Sequence, residues 1–120
     1  MMLPKKRTRA PMGLKQAAVI KCPSHLRWVR GHECCIAGKT SRAGDHLCEG
    51  KIEAHHVTTR GAGGGDEQVV SLCSKAHAMV HQMGRASFGS AYLVDLDRLA
   101  AEFWKRSPHG QKYRIENDRR

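Results

Sequence analysis

Between Ile52 and His81 the chain places two adjacent histidines, a glycine-rich run and two histidines four residues apart, a spacing that constrains the fold more than any other feature. Lys51 to Thr58 alternates weakly and carries β-branched Ile52 and Val57, so it reads as a short strand. The following RGAGGGD run, Arg60 to Asp66, is too rich in glycine to be regular and lets its backbone approach a ligand or another segment closely. Val69, Val70 and Leu72 make a second short strand, and Ser74 to about Gln82 has helical composition, with Ser74 as N-cap and Gly84 as stop. Neighbours on a strand point to opposite faces, so His55 and His56 cannot both coordinate one ion in regular geometry, and two jobs are implied. His77 and His81 share one helix face at the spacing that lets two imidazoles hold a metal. One strand histidine and the helical pair then supply three ligands for a divalent cation, leaving the other strand histidine as a base.

Such a metal would suit the rest of the chain. At 120 residues and 13.3 kDa it forms one domain with tails, and 2 Trp, 2 Tyr and 2 Phe against 12 Gly leave its core thin. The formal charge of +10 is uneven. Residues 1–30 hold eight basic side chains and no acid, whereas residues 31–90 hold six of each sign. A basic arm ahead of a neutral body is the footprint of a polyanion binder, because each neutralised phosphate releases counterions; nucleic acid is the expected partner. No stretch has the apolar length of a membrane span and the N-terminus lacks the apolar core of a secretory signal, so a cytoplasmic protein is expected. There, Cys22, Cys34, Cys35, Cys48 and Cys73 read as thiols or metal ligands rather than disulfides.

The expected organisation is a flexible basic arm over residues 1–21, a domain over 22–107 and a flexible tail over 108–120. Ser24 to Arg30 reads as a short helix or an extended lead-in, and residues 31–50 as an irregular knuckle tied down by cysteines. Asp95 to Arg106 carries Leu96, Leu99, Ala100, Phe103 and Trp104 at helical spacing, and Pro108 is expected to end that helix. Trp28, Phe88, Phe103 and Trp104 read as core rather than base-stacking platforms.

The runs IEAHHV (Ile52 to Val57), GGGD (Gly63 to Asp66), VVSLC (Val69 to Cys73) and HAMVH (His77 to His81) resemble the ββα-metal core of HNH endonucleases. The likeness is to small phage and prophage members and extends over roughly residues 25–105, from the segment His25 to Arg30 to Gly84–Phe88. It implies an α+β fold with a ββα-metal (His-Me finger) core and flanking helices. It also implies a metal-dependent DNA endonuclease in a bacterial host cell, with His56 as general base and His55, His77 and His81 holding Mg2+, Mn2+, Zn2+ or Ni2+. The Asn of the name is absent; Gln68 or Asp66 is expected to brace the loop carrying the base, Asp66 being also a candidate metal ligand.

Many relatives bind a structural zinc through two CxxC knuckles. Here Ala37 and Ala76 stand three residues after Cys34 and Cys73, where second cysteines would be, and a rebuilt zinc set of Cys34, Cys35, Cys48 and Cys73 is the expectation. Arg60 and Arg85 are candidate phosphate contacts. The main rival is a catalytically inactive, metal-stabilised DNA-binding accessory protein of phage packaging or recombination; a purely structural zinc protein is the third reading.

Overall fold

The computed structural model describes residues 19–58 and 63–118; the basic cluster at Lys5–Arg9 and the candidate phosphate contact Arg60 lie outside them. In chain order the elements are α1 (Pro23–Arg30), β1 (Thr40–Ser41), β2 (Gly44–Asp45), β3 (Ile52–His56), β4 (Val69–Cys73), α2 (Ser74–Met83), α3 (Arg85–Tyr92), α4 (Leu96–Arg106) and α5 (Pro108–Asp118). The fold is α+β.

β3 and β4 form an antiparallel pair in which Ile52 opposes Cys73, Ala54 opposes Ser71 and His56 opposes Val69. All five residues of β4 are buried, so both of its faces are covered; α1 and α4 pack against it, as does α2, which follows it directly. Its other edge is closed by the chain before β1: the Cys35 N–H donates to Ser71 O at 2.8 Å, and the Ser71 hydroxyl donates to Glu33 O at 2.7 Å. Val29, Ile36, Val69, Val70, Leu72 and Phe88 are fully buried in the core. Each contributes roughly 1.5–3 kcal/mol by leaving water.

The lead-in is helical. α1 begins with Pro23 in its first turn after Cys22, where a missing N–H costs nothing. Residues 31–50 contain the two-stranded β1–β2 hairpin, with Thr40 opposite Asp45 and a 2.6 Å hydrogen bond from the Thr40 hydroxyl to the Asp45 carboxylate. The expected helix cap at Ser74 moves by one residue: the Cys73 thiol accepts the Ala76 N–H, and the Ser74 hydroxyl turns back towards β3. α4 starts where its pattern predicts, with Asp95 accepting the Arg98 N–H at 3.1 Å. Phe88 and Phe103 are buried in the core, Trp28 packs against it, and Trp104 is half-buried against the ring of buried His25.

Both ends of the described residues are tied to the body of the fold. Ile20 O accepts the Asp66 N–H at 2.9 Å, and the Cys22 N–H donates to Asp66 Oδ2 at 2.8 Å, so residues 20–22 are tied to the loop ahead of β4. Gly65 permits this approach, since a Cβ there would meet the Ile20 backbone at 3.0 Å. At the other end, residues 108–118 are helix rather than tail. Ser107 is buried, and its hydroxyl accepts the N–H groups of His109 and Gly110, each at 3.2 Å. Ser107-Pro108 is therefore an N-cap followed by proline at the first helical position, which starts α5 as it ends α4. Gly110 lets α5 lie against Trp104, where a Cβ would sit 2.6 Å from the Trp104 carbonyl oxygen, and the Arg114 guanidinium covers the Trp104 ring at 5.9 Å.

A candidate metal centre and a braced histidine

The two histidines ending β3 diverge. His55 is buried and turns towards α2, where its ring centroid lies 4.8 Å from that of His77 and 5.5 Å from that of His81. One ligand atom from each of the three rings falls within 4.8 Å of the others. Coordination at about 2.0–2.1 Å places nitrogens roughly 3 Å apart, so a small adjustment closes the set around one ion. Burial, then the neighbouring His77 and His81, lower the His55 pKa from 6.5 to about 4, so the ring is neutral near pH 7 and has a lone pair for a cation.

His56 turns the other way. Its Nε2 lies 2.9 Å from Asp66 Oδ1, while Asp66 Oδ2 holds the Cys22 N–H. Asp66 is 3 % exposed, so this pair is shielded from solvent on the carboxylate side. An ionised carboxylate only accepts, which puts the proton on Nε2 and the lone pair on Nδ1. Asp66 thus occupies a bracing position beside His56 and does not belong to the three-histidine set. The Gln68 backbone carbonyl accepts the Val57 N–H at 2.7 Å, and its side-chain oxygen is buried without a hydrogen-bond partner among the described residues.

Glu53 drew no attention in the sequence. It lies two residues before His55 and therefore on the same face of β3. Its Oε1 is 2.6 Å from His77 Nδ1 and its Oε2 is 2.9 Å from the Ser74 hydroxyl. These two hydrogen bonds hold its carboxyl below the usual range. Arg85, at the start of α3, donates to Val57 O at 3.1 Å and lies 3.4 Å from Asp97 Oδ1; its charge also opposes protonation of His55. The Asp97 partner is exposed, so this ion pair is weak and leaves the guanidinium half-open beside the end of β3.

A second donor set lies at the opposite end of β3–β4. Cys34, His46, Cys48 and Cys73 bring their sulfur and nitrogen atoms within 4.8 Å of one another. Tetrahedral Zn–S bonds of 2.3 Å separate sulfurs by about 3.8 Å, so these four donors could bind a metal ion, and three thiols with one imidazole suit zinc. His46 Nε2 is already 3.4 Å from Cys73 Sγ. Burial opposes ionisation of Cys73, yet the amides of Ala76 and Glu49 and the Cys48 and Cys34 thiols outweigh it and lower its pKa. Cys48 moves the other way, raised by desolvation and then by Cys34. One thiolate thus suppresses the next, a repulsion that a divalent cation would remove.

The fourth donor of this set is His46, not Cys35. With Cys34 in the cluster, Cys35 turns instead to Ser71, Sγ to Oγ 3.6 Å, and burial raises its thiol pKa. The His46-Leu47-Cys48 spacing was the available signal, since two residues separated by one in extended chain share a side. Among the described residues, Cys22 belongs to neither donor set. No described helix is long and apolar enough to cross a membrane. No protein-family model matches the chain, and no curated protein or solved structure matches it significantly.

Proposed function

We propose that the chain is an HNH-type, metal-dependent DNA endonuclease with a ββα-metal core formed by β3, β4 and α2. The observation that carries this reading is the divergence of adjacent histidines: His55 joins His77 and His81, whereas His56 rests on a buried carboxylate. A divalent ion held by His55, His77 and His81 would offset charge developing on the phosphate and on the leaving 3′ oxygen.

The chain's own contribution is proton transfer and positioning. His56 Nδ1 takes a proton from water as the new O–P bond forms and the P–O3′ bond breaks, and Asp66 stabilises the imidazolium through Nε2–H. Keeping His56 out of the metal's coordination leaves that lone pair available. The half-open Arg85 is suited to a phosphate oxygen next to the strand end. The basic residues before Lys21 supply sequence-independent attraction for DNA. The Cys34, His46, Cys48 and Cys73 set would hold a structural zinc that fixes the start of α2, and so the spacing of His77 and His81 from β3.

The test is cleavage of supercoiled, linear and single-stranded DNA with Mn2+ or Mg2+, with His56→Ala alongside. Loss of nicking with retained DNA affinity is expected. DNA binding without cleavage by the parent chain under any divalent ion would favour the accessory-protein reading.

A further inference from the structure

The geometry points to Glu53 as a positioning residue that fixes the tautomer of His77 and thereby preforms the three-histidine site. The inference rests on the proposed use of His55, His77 and His81 as metal ligands. Glu53 Oε1 lies 2.6 Å from His77 Nδ1, and the Ser74 hydroxyl, 2.9 Å from Oε2, aims the carboxylate. Ser74 is itself anchored, because its N–H donates to Lys51 O at 3.0 Å. A carboxylate can only accept, so His77 must carry its proton on Nδ1, and its lone pair must be on Nε2. Only then is Nε2 ready to ligate; with the proton on Nε2, His77 would have to lose it or turn over before binding. Carboxylates that orient ligating histidines in this way typically contribute about 10–100-fold in metal affinity.

The placement follows from the fold. Glu53 and His55 are alternate residues of β3, so one strand face presents both a ligand and the group that orients another ligand. Ser74 and His77 are separated by one turn of α2, so the same carboxylate bridges the first turn of the helix to the strand. Glu53 therefore couples the orientation of His77 to the β3–α2 packing without belonging to the donor set.

The experiment uses the full-length chain and Mn2+ as probe, comparing the parent with Glu53→Ala, Glu53→Gln and His81→Ala. Two readouts are taken: Mn2+ affinity by titration, and the His77 tautomer in metal-free protein from long-range 1H–15N correlations. The parent is expected to hold His77 as the Nδ1–H tautomer, and Glu53→Ala to shift it towards Nε2–H and weaken Mn2+ by about 10–100-fold. Glu53→Gln, whose amide oxygen still accepts from Nδ1–H, is expected to recover much of both. An unchanged tautomer with Mn2+ affinity within about twofold in Glu53→Ala overturns the inference alone. Equal losses in Gln and Ala variants, with the tautomer kept, would make Glu53 a ligand and also overturn it. Mn2+ binding by the parent that His81→Ala leaves untouched removes the three-histidine site itself, and the inference with it.

Discussion

The two donor clusters of this small fold sit on the same strand pair and differ in almost every property that governs what a metal site does. Cys34, His46, Cys48 and Cys73 offer three thiols and one imidazole, three of the four buried, and join an irregular stretch to the end of β4. His55, His77 and His81 offer three imidazole donors on a strand and a helix, graded from buried to exposed. Four donors close a tetrahedron; three leave positions open for water or a phosphate oxygen. On the proposed function, the first cluster serves stability and the second chemistry. The thin core makes the division reasonable, since the irregular stretch from Glu33 to Gly50 contributes only Cys34, Ile36 and His46 as buried side chains.

The sharpest way to break this comparison is to remove each metal in turn. Structural zinc sites of this donor type contribute on the order of 10 kcal/mol to small domains. Strong chelation, or Cys73→Ser, is therefore expected to abolish the cooperative thermal transition followed by circular dichroism. His81→Ala should leave that transition in place while eliminating exchangeable Mn2+ binding. Unfolding by both, or by neither, would erase the distinction.

A smaller effect, at acid pH, comes from a histidine outside both clusters. His25 is fully buried between Trp28 and Trp104, with neither ring nitrogen bonded among the described residues. Burial, then the nearby His109, lower its pKa to about 4 against the partial opposition of Asp66. The folded pKa lies below the unfolded value of 6.5, so the unfolded chain takes up the proton first as pH falls. Stability from this group is complete above pH 6.5 and is lost between 6.5 and 4, by about 3 kcal/mol at most. Denaturant unfolding of His25→Phe across this range should show a flatter acid limb than the parent; parallel limbs would contradict the assignment. The smallest expected effect is at Cys35→Ser, which should retain one tightly bound zinc per chain and shift stability by less than about 1 kcal/mol. A lost zinc there would return Cys35 to the ligand set in place of His46.

The histidine cluster was legible because two periodicities converge on it: alternation along β3 separates His55 from His56, and the four-residue spacing on α2 joins His77 to His81. The cysteine cluster was half legible. Residue type identified Cys34, Cys48 and Cys73, but the one local signal, the His46-Leu47-Cys48 spacing, is short and lies in a segment read as irregular, so His46 was missed and Cys35 included. Glu53 escaped notice because a carboxylate at an exposed-looking strand position has many ordinary explanations. α3 carries a weak apolar pattern interrupted by Gly89, and its helix is held by Phe88 and Tyr92 packing inward. α5 was misread because Ser-Pro can both end and begin a helix, and only the burial of Ser107 decides between them.

The central claim is that His56, braced by Asp66, removes the proton from the attacking water. Single-turnover nicking of supercoiled DNA by His56→Ala, with and without added imidazole, tests it most directly. The account predicts a loss of about 100-fold or more relative to the parent, with partial recovery as imidazole is raised. Nicking by His56→Ala at the parent rate would contradict it.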